Sequence, residues 1–398
     1  MLIALFPKMI FRHTGLQGMN MRHSWVRSFS FWRLSILFVC VAYTGLLPCR
    51  AAPADARQIA RLPAAGGTVL QFSKDGKRLL AVEGAEARVW DATVFKPLTE
   101  SLRHGERIWS ASLSLDGKKV LTATGSQVWI WDVQTGKRIL ALEQPGKVWS
   151  AAFSPDGTKV LASGTDKAAR VWEIATGKLL FSLGHAGKVW FAAFSPDGNQ
   201  IITMSHQGDE KGHGAFMWDA SSGRKLWASW ARVGSHSQSP AAFSQDGKKL
   251  VLNLFDSDLV VEAGNGTPLA HIELDEHGVA ATSVFAFSPD GNRLLTVGMD
   301  GLVYVWEANK SGAPLSKLEL EGRADDAVFT REGKRIVVTA EHGEAGVFDA
   351  GTGKSYLRFP TGDPTPAVAL SPEGKRVALS YPKAGEIIVW DIAQDSLR

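Results

Sequence analysis

The chain has 398 residues and is 45% hydrophobic and 21% charged, a composition that excludes a disordered chain and a multi-pass membrane protein. Its net charge of +4 arises at the N-terminus, where residues 1–52 hold Lys8, Arg12, Arg22, Arg27, Arg33 and Arg50 and no acid, so the remainder carries −2. A basic footprint for nucleic acid is therefore missing from the bulk of the chain, and no nucleic-acid partner is expected.

In chain order the first feature is a leader. Arg22, Arg27 and Arg33 precede an uncharged apolar run over residues 34–47, followed by Pro48 and small residues through Ala54. This is the order of a secretory signal, and the run is shorter than the ~20 residues a membrane-spanning helix needs. Residues 1–54 are therefore expected to be a signal peptide with an upstream extension, and residues 55–398 the mature domain. Cleavage is expected after Ala51 or Ala54, Met21 would give a signal of more usual length, and the product would be periplasmic or extracellular. Cys40 and Cys49 both lie in the leader, so the cleaved product would hold no thiol. The routes left to a membrane are an uncleaved signal or lipidation of Cys49, although Pro48 stands where a bacterial lipoprotein signal has a small residue.

From residue 72 onward a turn phrase recurs: FSKDG ends at Gly76, LSLDG at Gly117, FSPDG at Gly157 and Gly198, FSQDG at Gly247, FSPDG at Gly291, FTREG at Gly333 and LSPEG at Gly374. The eight copies are 40 to 49 residues apart, the period of a stacked repeat. In the third copy, apolar segments at 148–154, 159–163, 169–174 and 178–183 are broken by Asp156-Gly157 and Thr176-Gly177. Four segments of about five residues with such turns predict four antiparallel strands. One such sheet cannot bury both faces, so the units are expected to stack in a ring. The first predicted strand, 58–62, matches the fourth strand of other copies, and the last, 386–392, matches a third strand. The two chain ends should thus complete one blade of an all-β, eight-bladed β-propeller, with seven blades as the alternative.

The third strands end in Trp90-Asp91, Trp131-Asp132, Trp172-Glu173, Trp218-Asp219, Trp306-Glu307 and Trp390-Asp391, while Phe348-Asp349 and Val261-Glu262 replace the pair in two copies. With the stretch LGHAGKVWFAAFSPDG over 183–198, these residues make the chain resemble the WD-repeat β-propeller family, in a bacterial exported form, over roughly residues 57–392. The resemblance implies that the six tryptophans are structural. It also implies a hydrogen-bonded set of Trp, Ser or Thr, His and Asp in each blade, from which this chain departs: the third copy has Ser163, Asp166 and Trp172 without a histidine, and the fourth has His185 and Trp218 around an altered turn.

The resemblance places the SPDG and TGK turns on one rim and the lead-in to each first strand on the other. On that second rim Arg107, Lys147 and Lys188 each precede by two residues a tryptophan, Trp109, Trp149 and Trp190, in copies two to four. The corresponding residues elsewhere are Thr68, Ser239, Ser283, Asp325 and Pro366. Clustered indoles and cations are the residue types that most often carry interface energy, so these six are the expected partner-binding residues and an acidic protein, peptide or envelope polymer the expected partner. The fourth copy also lengthens its second-to-third link, where His206, Asp209, Glu210 and His213 form a metal-capable but glycine-rich set; no metal and no cofactor is expected. The linker 231–239, with Arg232 and His236 after Trp227 and Trp230, is a second polar stretch on that rim.

Asp156, Asp197 and Asp290 are expected to be structural turn residues. With no G-x-S-x-G elbow, no H-E-x-x-H helix and no cysteine outside the leader, the expected function is a non-catalytic binding scaffold. The alternative is a propeller enzyme, since DASSGRKLW over 219–227 is similar to the tryptophan-docking repeats of eight-bladed quinoproteins.

Overall fold

The computed structural model describes residues 57–63, 69–206, 213–229, 241–254, 257–272, 282–298, 302–318, 320, 324–340, 344–360, 367–381 and 383–392. The leader, with Cys40 and Cys49, lies outside them, as does the linker 231–239.

Each turn phrase closes the hairpin between the first and second strands of a blade. In the third copy the Ser154 hydroxyl donates to the Asp156 carboxylate and accepts from the Lys159 N–H at 2.9 Å, and Asp156 accepts from the Thr158 N–H at 3.0 Å. Gly157 closes the turn at φ +69°, a conformation that glycine adopts without a Cβ penalty. The same arrangement recurs at Asp197 and Asp290, which accept from the Asn199 and Asn292 N–H groups at 3.1 Å. These hydrogen bonds hold the aspartates below the usual carboxylate range despite an opposing effect of burial.

Eight four-stranded antiparallel sheets result, one per turn phrase. In blade three the strands are Val148–Phe153, Lys159–Gly164, Ala168–Glu173 and Leu179–Gly184, each within a residue or two of its predicted bounds. The first strands of neighbouring blades approach one another around the ring and so lie innermost. Blade eight is composite: Val368–Leu370, Arg376–Tyr381 and Glu386–Asp391 are completed by Arg57–Pro63 from the other end of the chain, with Leu62 opposite Ile387 and Arg61 bonded to Glu386 at 3.0 Å. The degenerate fifth copy is a full blade of four strands, Ala241–Phe243, Lys249–Asn253, Asp258–Glu262 and Pro268–Ile272, which settles eight blades over seven.

The core is a ring of eight apolar clusters, one at each seam between blades. Strand alternation explains why: Val160 and Ala162 face blade two with Leu121 and Ile130, whereas Leu161 faces blade four with Val189 and Ile201. The six repeat tryptophans are all buried and turn toward the preceding blade; Trp172 and Trp218 are examples.

Two further ties between blades come from residues the repeat did not advertise. The residue that opens the second strand reaches the next blade's turn. Lys159 donates to the Ala220 carbonyl at 3.4 Å, Lys249 to Gly291 at 2.7 Å, Arg293 to Gly333, and Arg376 across the closing seam to Gly76 at 2.8 Å and to Ala92. On the outer strands, Trp227 lies against Gly266 of blade five and its indole N–H donates to the Ala263 carbonyl at 2.8 Å. Phe181 takes the same position against Gly223. The DASSGRKLW motif thus ends in a docked tryptophan that braces blades four and five.

Candidate functional site

The rim residues of blades two to four are positioned by a shared irregularity. In the first strands Ile108–Leu113, Val148–Phe153 and Val189–Phe194, pairing with the second strand skips one residue after the opening one, and the skipped residue is Trp109, Trp149 or Trp190. A β-bulge of this kind leaves its extra residue unpaired and re-aims its side chain. In blade three the bulge depends on Gly164, because a Cβ there would stand 1.8 Å from the Lys147 carbonyl oxygen.

Beyond each bulge, seryl hydroxyls tie the innermost strands together. Ser110 donates to the Ala151 carbonyl at 3.1 Å, and Ser150 donates to Ala192 at 3.2 Å. The three tryptophans therefore follow one another on adjoining, mutually bonded strands.

Their environments differ. Trp109 is 54% exposed, and the Arg107 guanidinium lies over its ring at 5.0 Å. Trp149 is half-buried, with the Lys188 ammonium of the next blade 6.0 Å from its ring centre. Lys147 is exposed, its backbone N–H donating to the Thr165 hydroxyl at 2.9 Å. Trp190 is also half-buried, but it packs on the seam with blade five, and its buried indole nitrogen has no hydrogen-bond partner among the described residues. The structure thus sets the Arg107–Trp109 pair and the Lys188–Trp149 pair at the starts of neighbouring first strands and packs Trp190 on the seam with blade five.

Of the other sequence candidates, His206 ends the strand Gln200–His206 beside Lys188, to whose carbonyl its backbone N–H donates at 3.0 Å, and burial and Lys188 push its pKa down. Asp209, Glu210 and the side chain of His213 lie outside the described residues, as do Thr68, Ser239, Pro366 and the side chains of Ser283 and Asp325. Trp227 is a seam residue rather than a surface aromatic.

The family's bonded set survives in part through Thr203, which sequence reasoning passed over. In blade four Trp218 donates to the Thr203 hydroxyl at 2.7 Å, and Thr203 meets the His185 Nε2 at 3.2 Å. Trp131 bonds Thr122 and Trp306 bonds Thr296, both at 2.9 Å. In blade two His104 stacks on Trp129 at 4.4 Å. Burial holds both histidines down at about 4, aided by the nearby cations Arg138 for His104 and Lys225 for His185. The signal for these links was a threonine at the fourth residue of the second strand, two beyond the residue opposite the tryptophan. In blade three Asp166 instead accepts from Gln144 at 2.9 Å and pairs with Arg170, clamping the linker from blade two.

Comparison with known proteins fits this geometry. The WD domain, G-beta repeat family matches residues 136–173, 177–209 and 267–307. The chain therefore carries WD repeats in these three places and folds as an eight-bladed β-propeller. Among solved structures, the C-terminal WD40 domain of Sif2 is similar over 85% of this chain and 99% of its own, at 16% identity and a TM-score of 0.68. The computationally designed Ika8 protein is similar over 84% of this chain and 100% of its own, at 21% identity and a TM-score of 0.67. No curated protein matches the chain. Propellers with these repeats commonly serve as protein-interaction scaffolds, while identities this low establish the fold alone.

Proposed function

We propose that the protein is an exported, non-catalytic scaffold that captures an acidic peptide segment of a partner on the rim of blades two to four. The observation that carries this reading is the exposed Trp109, held out of the sheet ladder by a bulge with Arg107 on its face and followed around the ring by Trp149 and Lys188. An indole offers a large contact area at low entropic cost, and the flanking cations favour carboxylates over other side chains. Arg107 and Trp109 are the anchors, Lys188 and Trp149 extend the surface, Lys147 adds charge, and Trp190 packs on the seam with blade five.

Binding of a fluorescein-labelled glutamate-rich peptide, compared with lysine-rich and uncharged peptides of the same length, tests this surface. The glutamate-rich peptide should bind, weaken with salt, and lose about tenfold or more in affinity with Trp109→Ala and Trp149→Ala together. The melting temperature should change little, because Trp109 is exposed. Equal binding of all three peptides, or indifference to both substitutions, would contradict the proposal.

Export is a separate expectation. Intact-mass spectrometry of the protein recovered from a bacterial periplasm should give a chain beginning near Ala52 or Asp55. An uncut chain in the membrane fraction would assign it to an anchored form.

A further inference from the structure

The seam that closes the ring is built differently from the others. Its cluster, between blades eight and one, contains Ala81, Ala92, Ala367, Ala369 and Ala378 among its twelve buried members. A pocket of about 340 Å³ opens there, lined among others by Pro63, Ala81, Val82, Arg88 and Trp90.

The repeat itself explains the space. The second-strand residue that would bond the repeat tryptophan is Thr122 in blade two, Thr203 in blade four and Thr296 in blade six. Register places Ala81 in that position in blade one: Leu79 is opposite Trp90, as Ile201 is opposite Trp218. The sequence between Pro63 and Val69 also supplies no imidazole where blade four has His185. Trp90 is 3% exposed, lines the pocket, and its indole N–H has no acceptor among the described residues. A buried donor left unmade carries its full desolvation penalty, so a ligand acceptor placed there would recover that loss.

The charges on the wall indicate which acceptor. The Arg88 guanidinium lies 5.6 Å from the Trp90 ring centre and forms no ion pair with a described residue. Glu86 is engaged by Arg103 at 3.3 Å and by the Ser101 hydroxyl, and Glu83 has a partner of its own. Arg88 and the Trp90 donor thus share one pocket whose remaining wall is Pro63, Ala81, Val82, Ala87 and Gly385 together with the already engaged Glu83, Glu86 and Ser101.

We infer that the pocket at the closing seam binds a small carboxylate with a short branched apolar body, its oxygens taken by the Trp90 indole N–H and Arg88 and its carbon chain laid on Ala81, Val82 and Pro63. The same chemistry is offered by a free branched-chain acid and by the C-terminal carboxylate of a peptide ending in leucine. This site is separate from the rim of blades two to four and does not depend on it.

Isothermal titration of the full chain with 4-methylvalerate, and with a tripeptide ending in leucine and its C-terminal amide, tests the inference. One carboxylate per chain should bind, and the amide should not. Binding of the free acid alone identifies a metabolite pocket, and binding of the tripeptide alone identifies a peptide-end pocket. Ala81→Thr restores the hydroxyl found in three other blades and fills the space, so affinity should fall about tenfold while the melting temperature holds or rises. Arg88→Gln should weaken both carboxylates and leave the melt unchanged. Failure of both carboxylates to bind the wild type, or equal binding by Ala81→Thr and Arg88→Gln, would overturn it.

Discussion

A chain that begins after Pro63 is expected to melt at a much lower temperature than the full protein and to self-associate. Strand Arg57–Pro63 is the outer strand of blade eight, paired with Glu386–Asp391 from the opposite end of the chain. Its removal strips Leu62 from the seam cluster and breaks the Arg61–Glu386 pair. Burying one leucine contributes roughly 1.5–3 kcal/mol, and the lost ladder leaves the backbone of Glu386–Asp391 as an open edge, the feature that templates pairing between chains. Arg376 would still cross to Gly76 and Ala92, so the ring should loosen at the outside first. Calorimetry with light scattering checks this. A chain beginning at Arg57 should behave as the full protein does, and one beginning at Ala64 should not. Identical melts and masses would mean that closure contributes nothing.

The second large effect is on acid stability. His104 and His185 have folded pKa values of about 4, below the ordinary histidine value of about 6.5 in an unfolded chain. Between these two values the unfolded chain binds more protons, so stability is full above about 6.5 and falls as the pH drops toward 4. Below that, these groups add no further loss. The difference amounts to at most on the order of 3 kcal/mol for each histidine. The turn aspartates are also shifted downward, which for a carboxylate is stabilising, and that contribution is lost only as the pH falls from the ordinary carboxylate range through their own lowered values, at more acid pH. The melting temperature should therefore drop between pH 7 and pH 4, and His185→Gln should flatten that slope. A melt that is constant across the interval would refute the assignment.

Much of the fold was legible because each blade repeats a local chemical solution. Ser154, Asp156 and Gly157 close a hairpin through bonds that span only five residues, and a period of such turns specifies the strands, the blade count and the composite closing blade. Even the degenerate fifth copy keeps its turn at Gly247, so it keeps its strands. Contacts between blades were harder to read, because they join residues some forty positions apart without a shared motif. The bond from Lys249 to Gly291, the docking of Trp227 on Gly266 and the bridge from Ser110 to Ala151 are all of this kind.

The candidate site was half legible for the same reason. The spacing of Arg107 and Trp109 exposed a pattern, but the bulge that ejects the indole depends on a register skip that only the paired strand reveals. Trp190 obeys the same pattern and is drawn into the blade-five seam by Met204, Leu250 and Leu252, long-range neighbours in its packing cluster. The pocket beside Trp90 had no motif to announce it, since Ala81 simply stands where blades two, four and six have threonine.

Site-specific crosslinking tests the central claim most directly. A benzophenone side chain is placed at Trp109 on one chain and at Thr158, in a turn on the opposite rim, on another, and each is irradiated with the glutamate-rich peptide. The peptide should attach at position 109, compete away with unlabelled peptide, and leave position 158 unmodified. Attachment at 158 alone, or equally at both positions, would place the binding surface elsewhere and contradict a scaffold that works through the rim of blades two to four.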